Sequence, residues 1–243
     1  MSGIGLPDWY NIKKASAVSA LGDLGELAAR LGSSVTFDRR GDVIFLESFE
    51  NGLIHVKTEL GGAGAAVATA TASARTGGYS AKLTAGSDGS KFARVRKELY
   101  PISVDRIGFE FSWARVPTNT FVRVALAYFP KGVYYYGYLQ YDSLLDVWQY
   151  LDSAAAWQDL ETSLVLYDDD VAYHTMKLVV DFGDNEYVRV LLDGFETDLA
   201  GVGMRGSTSA LGPFVLAYVE LTDQVAVNPY IYVDDLIVTI NEP

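Results

Sequence analysis

Residues able to carry chemistry are few in this chain of 243 residues, and their spacing narrows them further. There are two histidines, His55 and His174, and no cysteine. A disulfide, a thiolate metal site and a cysteine nucleophile are therefore excluded. Neither histidine stands in a serine–histidine–aspartate arrangement, and no zinc-ligand spacing occurs. The acidic run Asp168-Asp169-Asp170 sits beside Tyr167 ahead of a strand and reads as a solvated loop. No catalytic set emerges, and the expectation is a protein without enzymatic activity.

Binding chemistry is better represented. The stretch Tyr128-Phe-Pro-Lys-Gly-Val-Tyr-Tyr-Tyr-Gly-Tyr-Leu-Gln-Tyr141 is unusually aromatic, with Trp148 and Tyr150 close behind. In a strand, side chains alternate between faces. Tyr134, Tyr136 and Tyr138 then share one face, and Tyr135 and Tyr141 the other. If one face is core, the other offers rings that stack on sugars or fill a subunit interface. Cross-strand tyrosines that simply cover a sheet are the third reading. The candidate ligand residues are Tyr134, Tyr135, Tyr136, Tyr138, Tyr141 and Trp148, with Trp157 as a further stacking residue.

The elements that must position these residues are strands. Ile107, Phe109, Phe111 and Trp113 alternate with Gly108, Glu110, Ser112 and Ala114. Met176, Leu178, Val180 and Phe182 do the same, and Gly183-Asp-Asn185 turns the chain into Glu186–Gly194. Phe121–Phe129 and Tyr134–Tyr141 form a hairpin around Pro130-Lys-Gly132. The last strand, Tyr230–Ile240, must pair with one made much earlier, and Val43–Gly52 is the candidate. About a dozen short strands with turns between them and little helix predict two packed antiparallel sheets. In the last strand Asp234 falls on the side of Leu236, Val238 and Ile240, which predicts a buried carboxylate, with Asp235 facing water. A buried carboxylate must be paired, hydrogen-bonded or metal-bound.

The pair His174-Thr-Met-Lys-Leu-Val-Val-Asp-Phe182 and Tyr187-Val-Arg-Val-Leu-Leu-Asp-Gly194 resembles the concanavalin A-like or laminin-G-like jelly roll. There a histidine-bearing strand precedes one that ends in Asp-Gly, which implies a structural role for His174. Phe49-Glu-Asn-Gly52 and Tyr232–Val238 are similar to the first and last strands of carbohydrate-binding jelly-roll modules. The fold implied is an all-β, two-sheet antiparallel jelly-roll sandwich over residues 43–243. The resemblance also implies a structural calcium between first and last strands, with Glu47, Glu50 and Asp234 as oxygen donors. The Glu-x-Asp-x-x-Glu strand of jelly-roll glucanases is missing, so the carboxyl pair that retaining hydrolysis needs has no counterpart.

Residues 1–42 read as an arm that precedes the sandwich. A helix is predicted from about Asn11 to Leu31, with Gly32 as its stop. Ala17, Leu21, Leu24, Ala28 and Leu31 form one stripe, widened by Val18 and Leu27. Gly22 and Gly25 each weaken it by about 1 kcal/mol, so the helix needs a surface, its own sandwich or a neighbouring subunit. Leu21, Leu24, Leu27 and Leu31 are the candidate oligomerisation residues.

Composition bounds the partners. The formal charge is −12, which disfavours nucleic acid and anionic lipid as ligands. No apolar run reaches the ~20 residues of a membrane helix. The N-terminus lacks the order of a signal peptide, so synthesis in the cytoplasm is expected. Arm plus jelly roll also resembles structural proteins of tailed-phage virions. The expectation is a virion component or similar surface-assembly protein, homo-oligomeric or bound to other virion or surface proteins, with no required cofactor. The alternative is a carbohydrate-binding module.

Overall fold

The computed structural model describes residues 40–86, 91–100, 105–160, 166–225 and 228–243. The predicted arm helix with Leu21, Leu24, Leu27 and Leu31 lies outside the described residues. Sixteen strands are described, in chain order β1 (Asp42–Glu47), β2 (Lys57–Gly61), β3 (Ala66–Ala70), β4 (Ser80–Thr84), β5 (Phe92–Leu99), β6 (Arg106–Ala114), β7 (Thr120–Phe129), β8 (Gly132–Asp142), β9 (Val147–Leu151), β10 (Trp157–Asp159), β11 (Tyr173–Asp181), β12 (Glu186–Leu192), β13 (Phe195–Asp198), β14 (Arg205–Ser209), β15 (Phe214–Asp223) and β16 (Tyr230–Ile240).

They form two antiparallel sheets of eight strands each. Sheet A runs β13-β12-β11-β6-β16-β4-β3, with β1 also paired to β16. Sheet B runs β10-β9-β8-β7-β15-β5-β2, with β14 also paired to β8. The first and last strands pair as expected, Asp42 opposite Ile240 through Glu47 opposite Leu236. The fold is an all-β jelly-roll sandwich, with β2, β9, β10, β13 and β14 added to the strands read from sequence.

The alternation in the sequence builds the core. Ile107, Phe109, Phe111 and Trp113 of β6 face Val122, Val124 and Leu126 of β7, and all are buried. The rings form a chain: Phe111 lies 5.4 Å from Trp113, which meets Trp148 edge-on at 5.8 Å. Burying a side chain of this kind contributes about 1.5–3 kcal/mol.

β16 breaks its own alternation. Ile231 and Val233 point into the core, and so do Leu236 and Val238, because the pairing with β6 slips between Asp234 and Ile237. Asp235 sits at the slip with a φ of 51°. A bulge of this kind inserts a residue and reverses the phase of the faces. Asp234 is therefore buried, as expected, but on the outer face of sheet A. Asp235 is buried as well, which corrects its expected exposure.

His174 is also explained by local geometry. Its Nδ1 lies 2.7 Å from Asp193 Oδ2, and its Nε2 accepts the Tyr167 amide at 2.9 Å. Asp193 also accepts the Thr175 amide at 2.6 Å. The histidine-bearing strand and the Asp-Gly turn thus lock each other.

Candidate functional site

The outer face of sheet B gathers the polar and aromatic side chains that the core excludes. On β8, Tyr135 packs on the core and Tyr141 is 4% exposed within it. Tyr134, Tyr136 and Tyr138 share one face, as their parity predicts, and the structure makes it the outer one. Trp148, opposite Tyr141 on β9, is 2% exposed and belongs to the core. Tyr135, Tyr141 and Trp148 are thereby removed from the candidate ligand set, because strand parity commits them to the inter-sheet layer. Trp157 on β10 does reach the outer face, with its ring 5.3 Å from Tyr138.

A polar row crosses the whole sheet. The backbone register aligns Asp159, Gln149, Gln140, Arg123, Glu220, Arg94 and Glu59, one from each strand between β10 and β2. Each is hydrogen-bonded to the next. Gln149 donates to Asp159 at 2.8 Å, and Gln140 donates to Gln149 at 3.1 Å. Arg123 donates to Gln140 at 3.1 Å and to Glu220 at 3.3 Å. Arg94 donates to Glu220 at 2.9 Å and to Glu59 at 3.1 Å. Such a chain fixes every side chain before a ligand arrives.

Beside it lies an aromatic row. Trp157, Tyr138 and Tyr218 follow one another across the sheet, with ring separations of 5.3 Å and 6.1 Å. The central strand holds only Ala125 between Tyr138 and Tyr218, which lets the two rings approach. The Arg94 guanidinium lies 4.2 Å over Tyr218. Burial pushes the Tyr138 and Tyr218 hydroxyls up from their ordinary pKa, Tyr218 well above it. Neither is poised as an ionised base, so both act as hydroxyl donors and acceptors.

The row is anchored from below. The buried Tyr187 hydroxyl accepts the Tyr138 amide and donates to the Leu151 carbonyl, both at 2.8 Å. It ties together the backbone of β8 and β9, and Leu151 is the residue opposite Trp157. Gly137 makes room for this: a Cβ there would meet Val180 at 2.6 Å.

Among solved structures, this chain is similar to an endo-β-1,4-glucuronan lyase from the fungus Trichoderma reesei. The identity is 12%, the TM-score 0.57, and the match covers 82% of this chain and 95% of that one. It is similar to a cellulose-induced protein, Cip1, at 14% identity and TM-score 0.53, covering 80% and 96%. Lectin I-B4 from Griffonia simplicifolia, in a metal-free form, matches at 11% identity and TM-score 0.47, covering 80% and 98%. The fold shared with the first two of these is an all-β, two-sheet antiparallel jelly roll. No family model matches the sequence, and no curated protein matches it.

The three residues proposed for calcium are not brought together. Glu47 accepts the Phe49 amide at 2.8 Å and faces His55 Nδ1 at 2.9 Å. Glu50 accepts the amides of Gly78 and Tyr79 at 2.8 Å and 2.9 Å. Asp234 accepts the amides of Arg75, Thr76 and Asp235 at 2.9, 3.2 and 2.8 Å. Among the described residues no group of three or more His, Cys, Asp or Glu is placed to hold a metal ion. Backbone amides supply the positive partner that calcium was expected to supply, so the residues present do not fit the ion.

The sequence reading missed Gln140, Gln149, Asp159, Arg123, Glu220, Arg94 and Glu59. Their signal is spread over seven strands and becomes visible only through pairing register. Both histidines are engaged, His174 with Asp193 and His55 with Glu47.

Proposed function

We propose that the outer face of sheet B binds glycans. The observation that carries this reading is the pairing of a preorganised polar row with an aromatic row on one face. Sugars offer both requirements at once: C–H faces that pack on aromatic rings, and rims of hydroxyls that pair with amides, carboxylates and guanidinium groups. The side chains are held by each other, so little ordering remains to oppose binding. A glycan array probed with the full chain tests this. Binding to a defined glycan class, abolished in Tyr138→Ala, is the expected result, and an empty array with correctly folded protein overturns it.

A second reading concerns assembly. Phe129, Tyr134, Tyr136, Phe214 and Leu216 form an apolar cluster at one corner of the same face. A second protein chain, in a virion or another surface assembly, would find an aromatic contact there. Light scattering on the full chain and on Tyr134→Ser/Tyr136→Ser tests it. A concentration-dependent oligomer dispersed by the double substitution supports the reading, and a strict monomer at all concentrations removes it.

A further inference from the structure

The two rows on sheet B run in one direction, across the strands, and that direction restricts the ligand. This restriction on the ligand rests on the glycan reading above. At one corner of the face the rings are turned on each other: Phe129, at the end of β7, and Tyr134 stack at 4.9 Å and 8°, and Tyr134 and Tyr136 along β8 at 5.2 Å and 17°. Ring faces engaged with one another are not free for a sugar, so the along-strand line offers edges and hydroxyls only. Across the strands the geometry differs. Trp157 and Tyr138 are inclined by 47°, and Tyr138 and Tyr218 by 65°. None of these three is paired face to face with another ring in the row, and Tyr218 is covered on one face by the Arg94 guanidinium at 4.2 Å.

The polar row lies two residues further along each strand, a distance of about 7 Å. One line of rings and one line of hydrogen-bonding groups thus run parallel across the sheet. An extended β-1,4-linked chain advances per sugar by about the spacing of neighbouring strands, roughly 4.8 Å. It can keep contact with both lines over successive residues. A coiled α-linked chain turns away from a straight track after a few sugars.

Charge narrows the class again. Arg94 is committed to Glu220 and Glu59, and Arg123 to Glu220 and Gln140. Counting Asp159, the row holds two guanidinium groups and three carboxylates, on a chain of net charge −12. A polyuronate laid on this row meets a surplus of its own charge. Arg205 on β14, opposite Tyr136, has no carboxylate partner among the described residues, but it stands off both rows.

We propose that this face binds the interior of an extended, neutral, β-linked polysaccharide. The chain lies across the strands, over Trp157, Tyr138 and Tyr218, with hydroxyls directed to Asp159, Gln149 and Arg123, while the buried Gln140 joins Gln149 to Arg123. Calorimetry of the full chain tests this with glucose, cello-oligosaccharides from dimer to hexamer, malto-oligosaccharides of equal length and oligoglucuronate. Affinity is expected to rise with cello-oligosaccharide length, and α-linked and uronate chains to bind at least about tenfold more weakly. Trp157→Ala and Gln149→Ala, both near the sheet edge, should each weaken the hexamer about tenfold or more, with Tyr134→Ala within about twofold of the parent.

Equal binding of glucose and hexamer, or a loss in Tyr134→Ala matching that in Trp157→Ala, overturns the across-strand track but leaves glycan binding standing. Tighter binding of oligoglucuronate, abolished by Arg205→Ala, overturns the neutral assignment. Tighter binding of malto-oligosaccharides overturns the extended-chain assignment. No binding of any of these probes overturns this proposal; an empty glycan array is what removes the wider reading.

Discussion

Each outer face of the sandwich holds a glutamate between two cations, and the two sites differ in their access to water. On sheet A, Glu242 lies between Lys177 and Arg189, whose side chains are 1% and 5% exposed. On sheet B, Glu220 lies between Arg94 and Arg123, at 18% and 24%. The residue types are nearly the same. On sheet A the charges are sealed beneath the chain end, where Arg189 also donates to the Pro243 carbonyl at 2.7 Å. On sheet B Glu220 is itself only 3% exposed, but its two guanidinium partners reach water and join a row that spans the sheet. A buried charge cluster is a lock, because breaking it takes a partner from charges that water cannot reach; one whose cations reach water is a surface that a ligand can join.

The largest effect expected from this contrast is on stability. Glu242→Ala leaves Lys177 and Arg189 buried without the carboxylate between them, and should cost about 3–5 kcal/mol in urea unfolding. Glycan affinity of the remaining folded protein should be unchanged, since the two faces are separated by the core. Equal losses for Glu242→Ala and Glu220→Ala would erase the distinction between lock and surface.

Tyr187→Phe comes next. It removes the hydroxyl that joins the Tyr138 amide to the Leu151 carbonyl and should cost about 1–3 kcal/mol, read by thermal or urea unfolding. Here stability and binding are expected to fall together, because the same hydroxyl positions Tyr138 in the aromatic row. A variant with lowered stability but unaltered glycan affinity would show that the row does not depend on that anchor.

Glu220→Gln should be gentler on the fold than Glu242→Ala, about 1.5–3 kcal/mol, because the amide keeps the shape and one acceptor of the buried carboxylate and Arg94 and Arg123 reach water. Its effect should fall on binding, measured by calorimetry, since both guanidinium groups lose the partner that aims them. A glutamate whose replacement changes stability strongly and binding not at all would belong with Glu242.

The same contrast explains what was legible in the sequence. The alternation of Ile107, Phe109, Phe111 and Trp113 is a local pattern, so the core strand was readable, as was the sharing of one face by Tyr134, Tyr136 and Tyr138, though not that this face is the outer one. Trp148 was misjudged because its face depends on pairing with Tyr141 across a turn, and β9 was not foreseen. Asp234 and Asp235 were assigned opposite environments because a period of two admits no bulge. Two adjacent acidic residues give no local sign that one takes a positive φ. The polar row was invisible for a deeper reason: Asp159, Gln140 and Glu59 become neighbours only through the register of seven strands, and no local window contains that information.

The Asp234–Asp235 pair yields the smallest and sharpest prediction. Burial, then the Asp235 charge, pushes the Asp234 carboxyl up to about 7. Burial also raises Asp235, against the Thr76 hydroxyl and the Arg75 charge. An unfolded aspartate titrates near 3.9, so between about pH 4 and 7 the folded chain holds a proton that the unfolded chain has released. Stability contributed by this site is therefore full below about pH 4 and falls as the pH rises toward 7. The whole chain, at −12, also repels itself more as pH rises, so the comparison must be internal. Asp235→Asn removes the neighbouring charge and should lose less stability than the parent between pH 5 and pH 7.5 in urea unfolding. An identical slope in the two proteins would mean that the three amides donated to Asp234 already hold it ionised. The outer face of sheet A would then be locked by hydrogen bonds alone, with no shared proton beneath the 73–79 segment.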